Sequence, residues 1–393
     1  MIAAATAAQN GHRVTLLEKN EKLGKKLYLT GKGRCNLTNV ADADEFFKNI
    51  PRNPKFLYSA LSSFDSKDTM ALIESLGVPV KIERGGRVFP VSDKSSDVIF
   101  ALLRHLKNCG VQIMLNTSVR SVEAKDGRIA KVVTERENLD CDALILATGG
   151  LSYPSTGSNG DGYALAKSLG HAIIRQSPAL IPMETKEEWP KSLAGLTLKN
   201  IRLTAFSGRH PVFDELGEML FTHFGISGPL VLTASSMVDQ SSAVTLVIDL
   251  KPALTPEQLD ARILRDFAAY ANKSIKNGMS DLLPYRLIPI VLSLAGIDEN
   301  KSVNQISREE RLAIGEKLKS LRIEISGYRP VEEAIITRGG VSVKEINPST
   351  MESKIVSGLY FAGEILDVDA LTGGFNLQIA FSTGHLAGRS VHD

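Results

Sequence analysis

The chain of 393 residues has only three cysteines, Cys35, Cys109 and Cys141, which cannot build a disulfide framework and lack the spacing of zinc ligands. No apolar run reaches the ~18 residues of a membrane span, and the Ala-rich start has no basic segment typical of a signal peptide. A net charge of +2 gives no field that attracts a polyanion. These absences predict a reduced, cytoplasmic protein. Its 43% apolar and 23% charged residues predict a globular chain of two or three domains.

The first residues have the order of elements found in the second half of a mononucleotide-binding βαβ unit. We predict an Ala-rich helix over 2–9, a stop at Asn10-Gly11 and an apolar strand over 13–17. Glu18 closes the strand, where such units place an acid on the adenosine ribose, ~20 residues after a glycine fingerprint. Counting back from Glu18 leads to the expectation that the fingerprint and first strand precede Met1 and are missing. The alternative is a solvated acid at a strand end.

A β-meander is predicted over residues 111–134, with a hairpin turn at Asp126-Gly127. The apolar strand ALILA follows and ends in Thr148-Gly149-Gly150. A strand that is apolar on both faces is expected in the centre of a parallel sheet. The combination of a meander and such a strand is typical of the FAD domain of flavoproteins with two dinucleotide folds.

The pattern changes within residues 179–327. Short alternating strands over about 179–252 predict a small β-barrel, and amphipathic patterns over about 253–327 predict helices. The βαβ pattern then resumes with GLYFAGE. The predicted fold is therefore α/β: a Rossmann-like FAD-binding domain made of 1–178 and 328–393, interrupted by an inserted β-barrel and helical domain.

The segment 19–34 combines glycines with six bases and one acid, a local charge of +5. Glycines let a backbone approach a ligand closely and bases offset a pyrophosphate, although each lysine alone fits a solvated loop. The next residue, Cys35, has no second cysteine nearby in sequence, so we expect a buried and inert thiol.

Two further glycine-rich loops lead into helices. The loop 153–162 follows the Thr-Gly-Gly turn and opens a helix at about Tyr163. In 358–388 an apolar strand ends in Gly363-Glu364, and Gly373-Gly374 leads into a helix from about Asn376. In FAD enzymes a strand-end acid holds the ribityl hydroxyls, and the next helix N-terminus stabilises negative charge on the flavin pyrimidine. The small residues of that helix favour its close approach to a cofactor.

Taken together, these motifs resemble the BaiN/YhiN-type (bile-acid-inducible reductase-like) NAD(P)/FAD-dependent oxidoreductases. The resemblance covers nearly the whole chain, with two departures: the missing glycine fingerprint and Ala370 in place of the glycine of the usual DVDG. It rests on six segments in the same order: LEKNEKLGKKLYLTGKGRCNLTN, GGRVFP, ATGGLSYPSTGSNGDGY, FTHFGISGP, TRGGVSVKEI and LYFAGEILDVDALTGGFNLQIAFSTG.

The resemblance implies a glutathione-reductase-2 type FAD domain and the reduction of conjugated C=C bonds, as in steroid enones. It also implies a set of site residues. The catalytic candidates are His223, Tyr153 and Arg338. The cofactor-binding candidates are Glu18, Lys19, Lys26, Gly33, Arg34, Cys35, Asn36, Val119, Thr148, Gly149, Asp161, Gly363, Glu364, Gly373, Gly374, Asn376 and Leu377. No metal site is expected.

Three functions remain open at this point. The first is an FAD oxidoreductase with a small-molecule substrate and NAD(P)H as a transient donor, because no second glycine fingerprint occurs. The second is an RNA-base reductase acting on a pyrimidine, which the +5 segment would suit although no RNA-binding motif supports it. The third is a scaffold that binds flavin poorly. The residues indicate no membrane partner and do not specify an oligomeric state.

Overall fold

The computed structural model describes residues 1–392, which divide into two compact units. The larger unit comprises Met1–Ala179 and Pro330–Asp393, and the inserted unit comprises Leu180–Arg329. No helix in the described part of the chain is long and apolar enough to cross a membrane. The Rossmann-type α/β class with an inserted barrel, predicted from the sequence, is confirmed.

The larger unit holds the elements predicted for a nucleotide-binding fold. Its helices are α1 (Ile2–Gln9), α2 (Lys25–Leu29), α3 (Ala43–Lys48), α4 (Tyr58–Ser63), α5 (Ser66–Ser75), α6 (Ser95–Asn108), α7 (Asp161–Ser168) and α14 (Phe375–Arg389). Its strands are β1 (Thr15–Leu17), β2 (Thr38–Asn39), β3 (Val80–Glu83), β4 (Arg87–Pro90), β5 (Gln112–Met114), β6 (Val119–Lys125), β7 (Arg128–Thr134), β8 (Asn138–Asp140), β9 (Leu144–Leu146), β10 (Ile173–Ala179), β17 (Ile336–Val341) and β18 (Leu359–Phe361).

Two parallel strand pairs form the part of this unit that positions the site. Strand β1 pairs with β5, and β9 pairs with β18 with Leu146 opposite Phe361. Parallel strands place their carboxyl ends at the same edge, so the segments after β9 and β18 meet there. The meander β6–β7–β8 and the sheet β2–β4–β3 are antiparallel, as is the pair β10–β17.

The inserted unit is a closed barrel with helices packed on it. Its strands follow the order β11 (Met183–Thr185), β14 (Gly225–Ser227), β13 (His210–Thr222), β12 (Thr197–Ser207), β15 (Val244–Asp249) and β16 (Leu321–Tyr328). Its helices are α8 (Trp189–Ser192), α9 (Pro229–Met237), α10 (Pro256–Ala269), α11 (Ile275–Gly278), α12 (Ile288–Leu294) and α13 (Arg308–Lys319).

Two local predictions for the inserted unit are wrong. Residues 321–327 were expected in a helix but lie in β16, the strand that closes the barrel, because Leu321, Ile323 and Ile325 alternate with exposed residues. Conversely, α9 lies within a stretch expected to consist of strands. It begins at a proline, which is favoured at the first helical position.

Candidate functional site

Helix α14 begins with three backbone amides, those of Phe375, Asn376 and Leu377, that have no acceptor among the described residues. Gly374 precedes them with φ of 102° and brings no side-chain cap. A Cβ atom on Gly374 would collide with the carbonyl oxygen of Thr38, so glycine is required here. Free amides and the helix dipole make this helix end attractive to negatively charged oxygen atoms.

Strand β2 and its neighbours hold the turn before α14. The Asn39 side-chain amide donates to the carbonyl oxygens of Gly373, at 3.0 Å, and Gly85, at 2.9 Å. With its amide oxygen turned toward the helix, Asn36 accepts a hydrogen bond from the Gly374 amide at 3.0 Å. The sequence-predicted residues Asn36, Gly373 and Gly374 therefore lie together.

The side chains in the first turn of α14 contact protein groups. The Asn376 amide accepts from the Ala370 N–H at 2.9 Å and donates to the Ala370 carbonyl at 2.7 Å. Leu377 packs against a buried cluster that includes Cys35 and Phe381. Contacts from these two residues to a cofactor are thus expected from their backbone amides.

The small residues of α14 were expected to allow close approach of a cofactor, but in the structure they allow close packing of protein segments. A Cβ on Gly388 would collide with the carbonyl of Ala3, and a Cβ on Gly384 would lie 3.6 Å from the Ala3 amide. Gln378 and Ser382 both bond the carbonyl of Phe64, at 3.1 and 2.6 Å. The small side chains therefore allow α14 to pack closely on α1 and the chain after α4, while the cofactor prediction is left with the helix start.

Glu364, at the end of β18, is held by protein donors. Its Oε1 accepts from the Thr337 amide at 2.8 Å and from the Ser152 hydroxyl at 3.0 Å, and its Oε2 pairs with Lys26. These contacts join α2, which bears Lys26, to the segments that follow β9 and β18. Because both oxygens are engaged, the proposed contact of Glu364 with a ribityl chain stays a prediction.

Glu18 follows β1 with one oxygen held and the other available. Oε1 accepts from the backbone and side-chain amides of Asn20, at 2.8 and 2.7 Å, whereas Oε2 has no hydrogen-bond partner in residues 1–392. The Thr117 amide donates to the Glu18 carbonyl at 2.9 Å, and Lys19 pairs with Asp161 at 2.7 Å. The Lys19–Asp161 pair thus brings Asp161 next to the segment that bears Glu18, although Lys19 and Asp161 are 142 positions apart.

The remaining predicted backbone positions follow β5 or β9 in the chain. Val119 begins β6, two residues after the segment bonded to Glu18. Thr148 and Gly149 follow β9, and the Thr148 hydroxyl lies so close to Gly162 that a Cβ there would collide with it. Helix α7 therefore needs its glycine in order to pack against this turn.

The positive charge of segment 19–34 is mostly offset by acids from elsewhere in the larger unit. Arg34 also lies over the ring of Phe89, 4.2 Å from its centroid. The +5 excess expected from the sequence is therefore reduced by pairing, and contacts of these bases with a pyrophosphate stay a prediction. The ion pairs join Lys19 to Asp161, Lys25 to Glu21, Lys26 to Glu364, and Arg34 to Glu83 and Asp93.

Cys35 is fully buried, and burial raises the pKa of its thiol to about 12. A thiol with this pKa stays protonated and is a poor nucleophile. Gly33, two residues earlier, has φ of 84°, and a Cβ there would meet open space. The backbone at Gly33 can therefore be approached by a ligand.

The three catalytic candidates have different surroundings. Tyr153 has φ of 54°, and burial raises the pKa of its phenol, which keeps it protonated. Arg338 is buried on β17. His223 belongs to the inserted unit, is exposed, and its ring lies 4.9 Å from that of Phe224. Their roles in catalysis stay predictions.

The sequence analysis missed a buried charged cluster beside the start of α14. Asp369 has no exposed surface, and its Oδ1 lies 3.4 Å from Nε of Arg52. Asn53 binds the backbone and side chain of Asp367. The DVDA motif contained the signal, because two acids one residue apart in an otherwise apolar segment need partners.

The residues present fit an FAD molecule on three structural observations. Glu18 offers a free carboxylate oxygen of the kind that binds ribose hydroxyls. The backbone at Gly33 faces open space. The uncapped start of α14 offers amides to the oxygen-rich edge of a flavin.

The chain belongs to the HI0933-like protein Rossmann domain family, whose model matches residues 1–390. It is 32% identical to a 3-dehydro-bile acid delta(4,6)-reductase of Clostridium scindens, covering 100% of this chain and 96% of that protein. It is also 32% identical to a ribosomal RNA dihydrouridine synthase of Escherichia coli, covering 98% and 93%. These findings confirm the resemblance and the class predicted from the sequence, a flavin-dependent oxidoreductase.

Among solved structures, a quinol–fumarate reductase with menaquinol superposes with a TM-score of 0.51 at 16% identity. The match covers 98% of this chain and 68% of that one. At this identity the likeness concerns the fold alone, and it agrees with the Rossmann-type architecture.

Proposed function

We propose that the protein binds FAD and reduces a C=C bond conjugated to a carbonyl group in a small molecule, with NAD(P)H as the transient donor. The observation that carries this proposal comes from two relatives, each 32% identical along nearly the whole chain. Both are named for a reaction that reduces a bond of this kind. A 3-dehydro-bile acid has a ketone next to its ring C=C bonds. Dihydrouridine is uridine whose C5=C6 bond, conjugated to the C4 carbonyl, is reduced.

In this proposal the residues of the larger unit bind and orient the cofactor. Glu18 binds the adenosine ribose through its free Oε2. The amides of Phe375, Asn376 and Leu377 stabilise negative charge on the flavin pyrimidine. When bound, reduced FAD supplies a hydride to the acceptor. Gly33 keeps the backbone free of a side chain where the cofactor would lie, and Gly374 lets the start of α14 pack against Thr38.

Proton transfer is assigned to the candidates already named. Tyr153 is protonated at neutral pH and can donate a proton to the carbon next to the carbonyl. His223 is the second candidate for this step, and Arg338 contributes positive charge from β17. An NAD(P)H donor would act at the flavin site itself, because the sequence holds no second glycine fingerprint.

A reduction of uridine in RNA is the second candidate, favoured by the equal identity to the dihydrouridine synthase. Bile acids and RNA differ in size and charge, so one experiment separates them. The purified protein is reduced anaerobically and mixed either with a 3-oxo-4-ene bile acid or with unmodified ribosomal RNA. Flavin reoxidation and product mass are then recorded.

The proposal predicts a yellow protein whose reduced flavin is reoxidised by the bile acid, with a product heavier by two hydrogens. Reoxidation by RNA alone, abolished by ribonuclease, would favour the second candidate. A colourless protein that retains no flavin after incubation with FAD and removal of the unbound cofactor would contradict both.

A further inference from the structure

Asp369 is a buried acid whose hydrogen-bonding capacity is unused. It has no exposed surface, and neither carboxylate oxygen has a hydrogen-bond partner among residues 1–392. Its ion-pair contact is with Nε of Arg52 at 3.4 Å, longer than a good hydrogen bond. Buried polar groups without partners are rare and costly, so each one in a folded protein needs an explanation.

The loop that bears Arg52 is tied to the segment around Asp369. The Asn53 side chain donates to the Asp367 carbonyl at 2.7 Å and to its carboxylate at 3.1 Å. The Leu371 amide donates to the carbonyl of Asn49 at 2.9 Å. Two hydrogen-bonded attachments and one ion pair therefore hold residues 49–53 in place.

This loop lies beside the uncapped helix start. Phe46 of α3 packs edge-on against Phe375, the first residue of α14, with ring centroids 5.0 Å apart. The Ala370 backbone, next to Asp369, is bonded by Asn376 in the same helical turn. The Arg52 side chain, held by a fully buried acid, is itself 37% exposed. A fixed positive charge is thus presented to solvent next to the free amides of α14.

Reducing a conjugated C=C bond creates negative charge at a predictable atom. Hydride addition at the β-carbon breaks the π bond and moves its electron pair toward the carbonyl, whose oxygen becomes an enolate oxygen. A proton from Tyr153 or water then adds at the α-carbon. A guanidinium fixed beside such an oxygen stabilises it through a charge-assisted hydrogen bond.

We propose that Arg52 binds the carbonyl oxygen conjugated to the bond being reduced, and that Asp369 is the positioning residue that holds its guanidinium. The inference rests on the proposed function and names a feature shared by an enone and by uracil. Asp369 contacts Arg52 through Nε, which leaves the two terminal nitrogens of the guanidinium for the substrate.

The charges around Asp369 give the arrangement a pH dependence. Burial raises the Asp369 pKa to about 6, the cations Arg338 and Arg52 act to lower it, and Asp367 acts to raise it further. Asp369 is ionised above pH ~6 and holds Arg52 there; below it the acid is neutral and the hold weakens. Acceptor binding is therefore expected to weaken as the pH falls through about 6.

The test uses the flavin-loaded full chain and three variants, Arg52→Gln, Arg52→Ala and Asp369→Asn. The matched control is Asp214→Asn, which breaks an exposed Arg–Asp pair (Arg202 with Asp214, 2.6 Å) on the barrel. A 3-oxo-4-ene bile acid is titrated into the oxidised protein, which cannot turn over, and flavin absorbance gives its Kd. The rate of anaerobic flavin reoxidation by the same acceptor is measured in parallel.

We expect Arg52→Gln to raise the Kd about 10- to 100-fold and to slow reoxidation, with unchanged flavin content. Guanidinium ion at millimolar concentration should partly restore acceptor binding and flavin reoxidation in Arg52→Ala. Asp369→Asn should raise the Kd for the acceptor by a smaller factor, and this Kd should not change as the pH crosses 6. The Asp214→Asn control should behave as the wild type.

An Arg52→Gln protein that binds and is reoxidised as the wild type would overturn the assignment of Arg52. A pH dependence retained in Asp369→Asn would overturn the positioning role of Asp369. If the wild-type flavin is reoxidised neither by the bile acid nor by uridine-containing RNA, the proposed function itself fails, and this inference fails with it.

Discussion

Two long helices of the inserted unit begin in the opposite way to α14 of the larger unit. In the inserted unit, α10 and α13 each start with a capping box, in which Thr255 pairs with Gln258 and Ser307 with Glu310. In the larger unit, α14 starts at Gly374 with no side-chain cap. Capping satisfies backbone amides that would otherwise lack partners and stabilises a helix by about 1 kcal/mol. The larger unit forgoes this stabilisation at the helix end where we place the flavin.

The buried charges follow the same division. Among the residues that the structure describes, the buried charged side chains are Arg338, Asp367 and Asp369, all in the larger unit. The buried polar residues of the inserted unit are neutral, for example Thr185 and Ser235. Unsatisfied amides and buried charges lower stability, and proteins retain them mainly at sites of function. The comparison therefore agrees with the placement of the proposed site in the larger unit.

The largest effect is expected for Gly374→Ala. Its methyl group would collide with the Thr38 carbonyl and would force a left-handed φ on alanine, so the helix start must shift. We expect a protein purified without flavin, measured as the ratio of absorbance at 450 and 280 nm. As a control, Ser307→Ala removes a cap of α13 and should cost about 1 kcal/mol of stability while flavin content is retained. Equal flavin loss in both variants would break the comparison.

A smaller loss is expected for Glu18→Ala. Removing a charged hydrogen bond to the adenosine ribose, worth ~1.5–3 kcal/mol, should weaken FAD binding by roughly 10- to 100-fold. Fluorescence titration of the apoprotein with FAD measures this. The nearby exposed Glu21, which pairs with Lys25, provides the control substitution Glu21→Ala, for which no change is expected. An unchanged dissociation constant for Glu18→Ala would make Glu18 a solvated acid at a strand end.

The smallest effect concerns stability. Because burial raises the Asp369 pKa from 3.8 to about 6, the folded state binds the proton more tightly than the unfolded state. The contribution of Asp369 to stability is thus fully present below pH ~4 and is lost as the pH rises to about 6. Asp369→Asn, which is neutral at every pH, should therefore be more stable than the wild type at pH 7.5, by about 1–3 kcal/mol. Denaturant unfolding at pH 4 and 7.5 tests this, and a variant that is less stable at pH 7.5 would contradict it.

Local patterns in the sequence were sufficient for much of the fold. The helix before Asn10, the Asp126-Gly127 hairpin and the cap at Thr255 depend on neighbouring residues, and the structure has each of them. Strand β16 was assigned to a helix because it directly follows amphipathic helices, although its alternation has a period of two. Its pairing with β11, about 140 residues earlier, is a long-range contact that a local pattern does not specify.

The site was predictable only where a single residue type determines the geometry. Gly374 and Glu18 could be placed because a tight helix start needs glycine and a strand-end acid has a known position in dinucleotide folds. The ion pairs of Lys26 and Arg34, and the contact of Arg52 with Asp369, join residues that are 49 to 338 positions apart. Such pairs depend on the tertiary fold, so composition and spacing did not reveal them.

The central claim is that the free amides at the start of α14 are where the flavin binds. Hydrogen–deuterium exchange of the apoprotein and the FAD-loaded protein tests it residue by residue. We predict that FAD slows exchange at Phe375, Asn376 and Leu377, while the capped amides of Gln258 and Glu310 exchange at the same rate in both forms. Exchange at the start of α14 that is unaffected by saturating FAD would contradict the account.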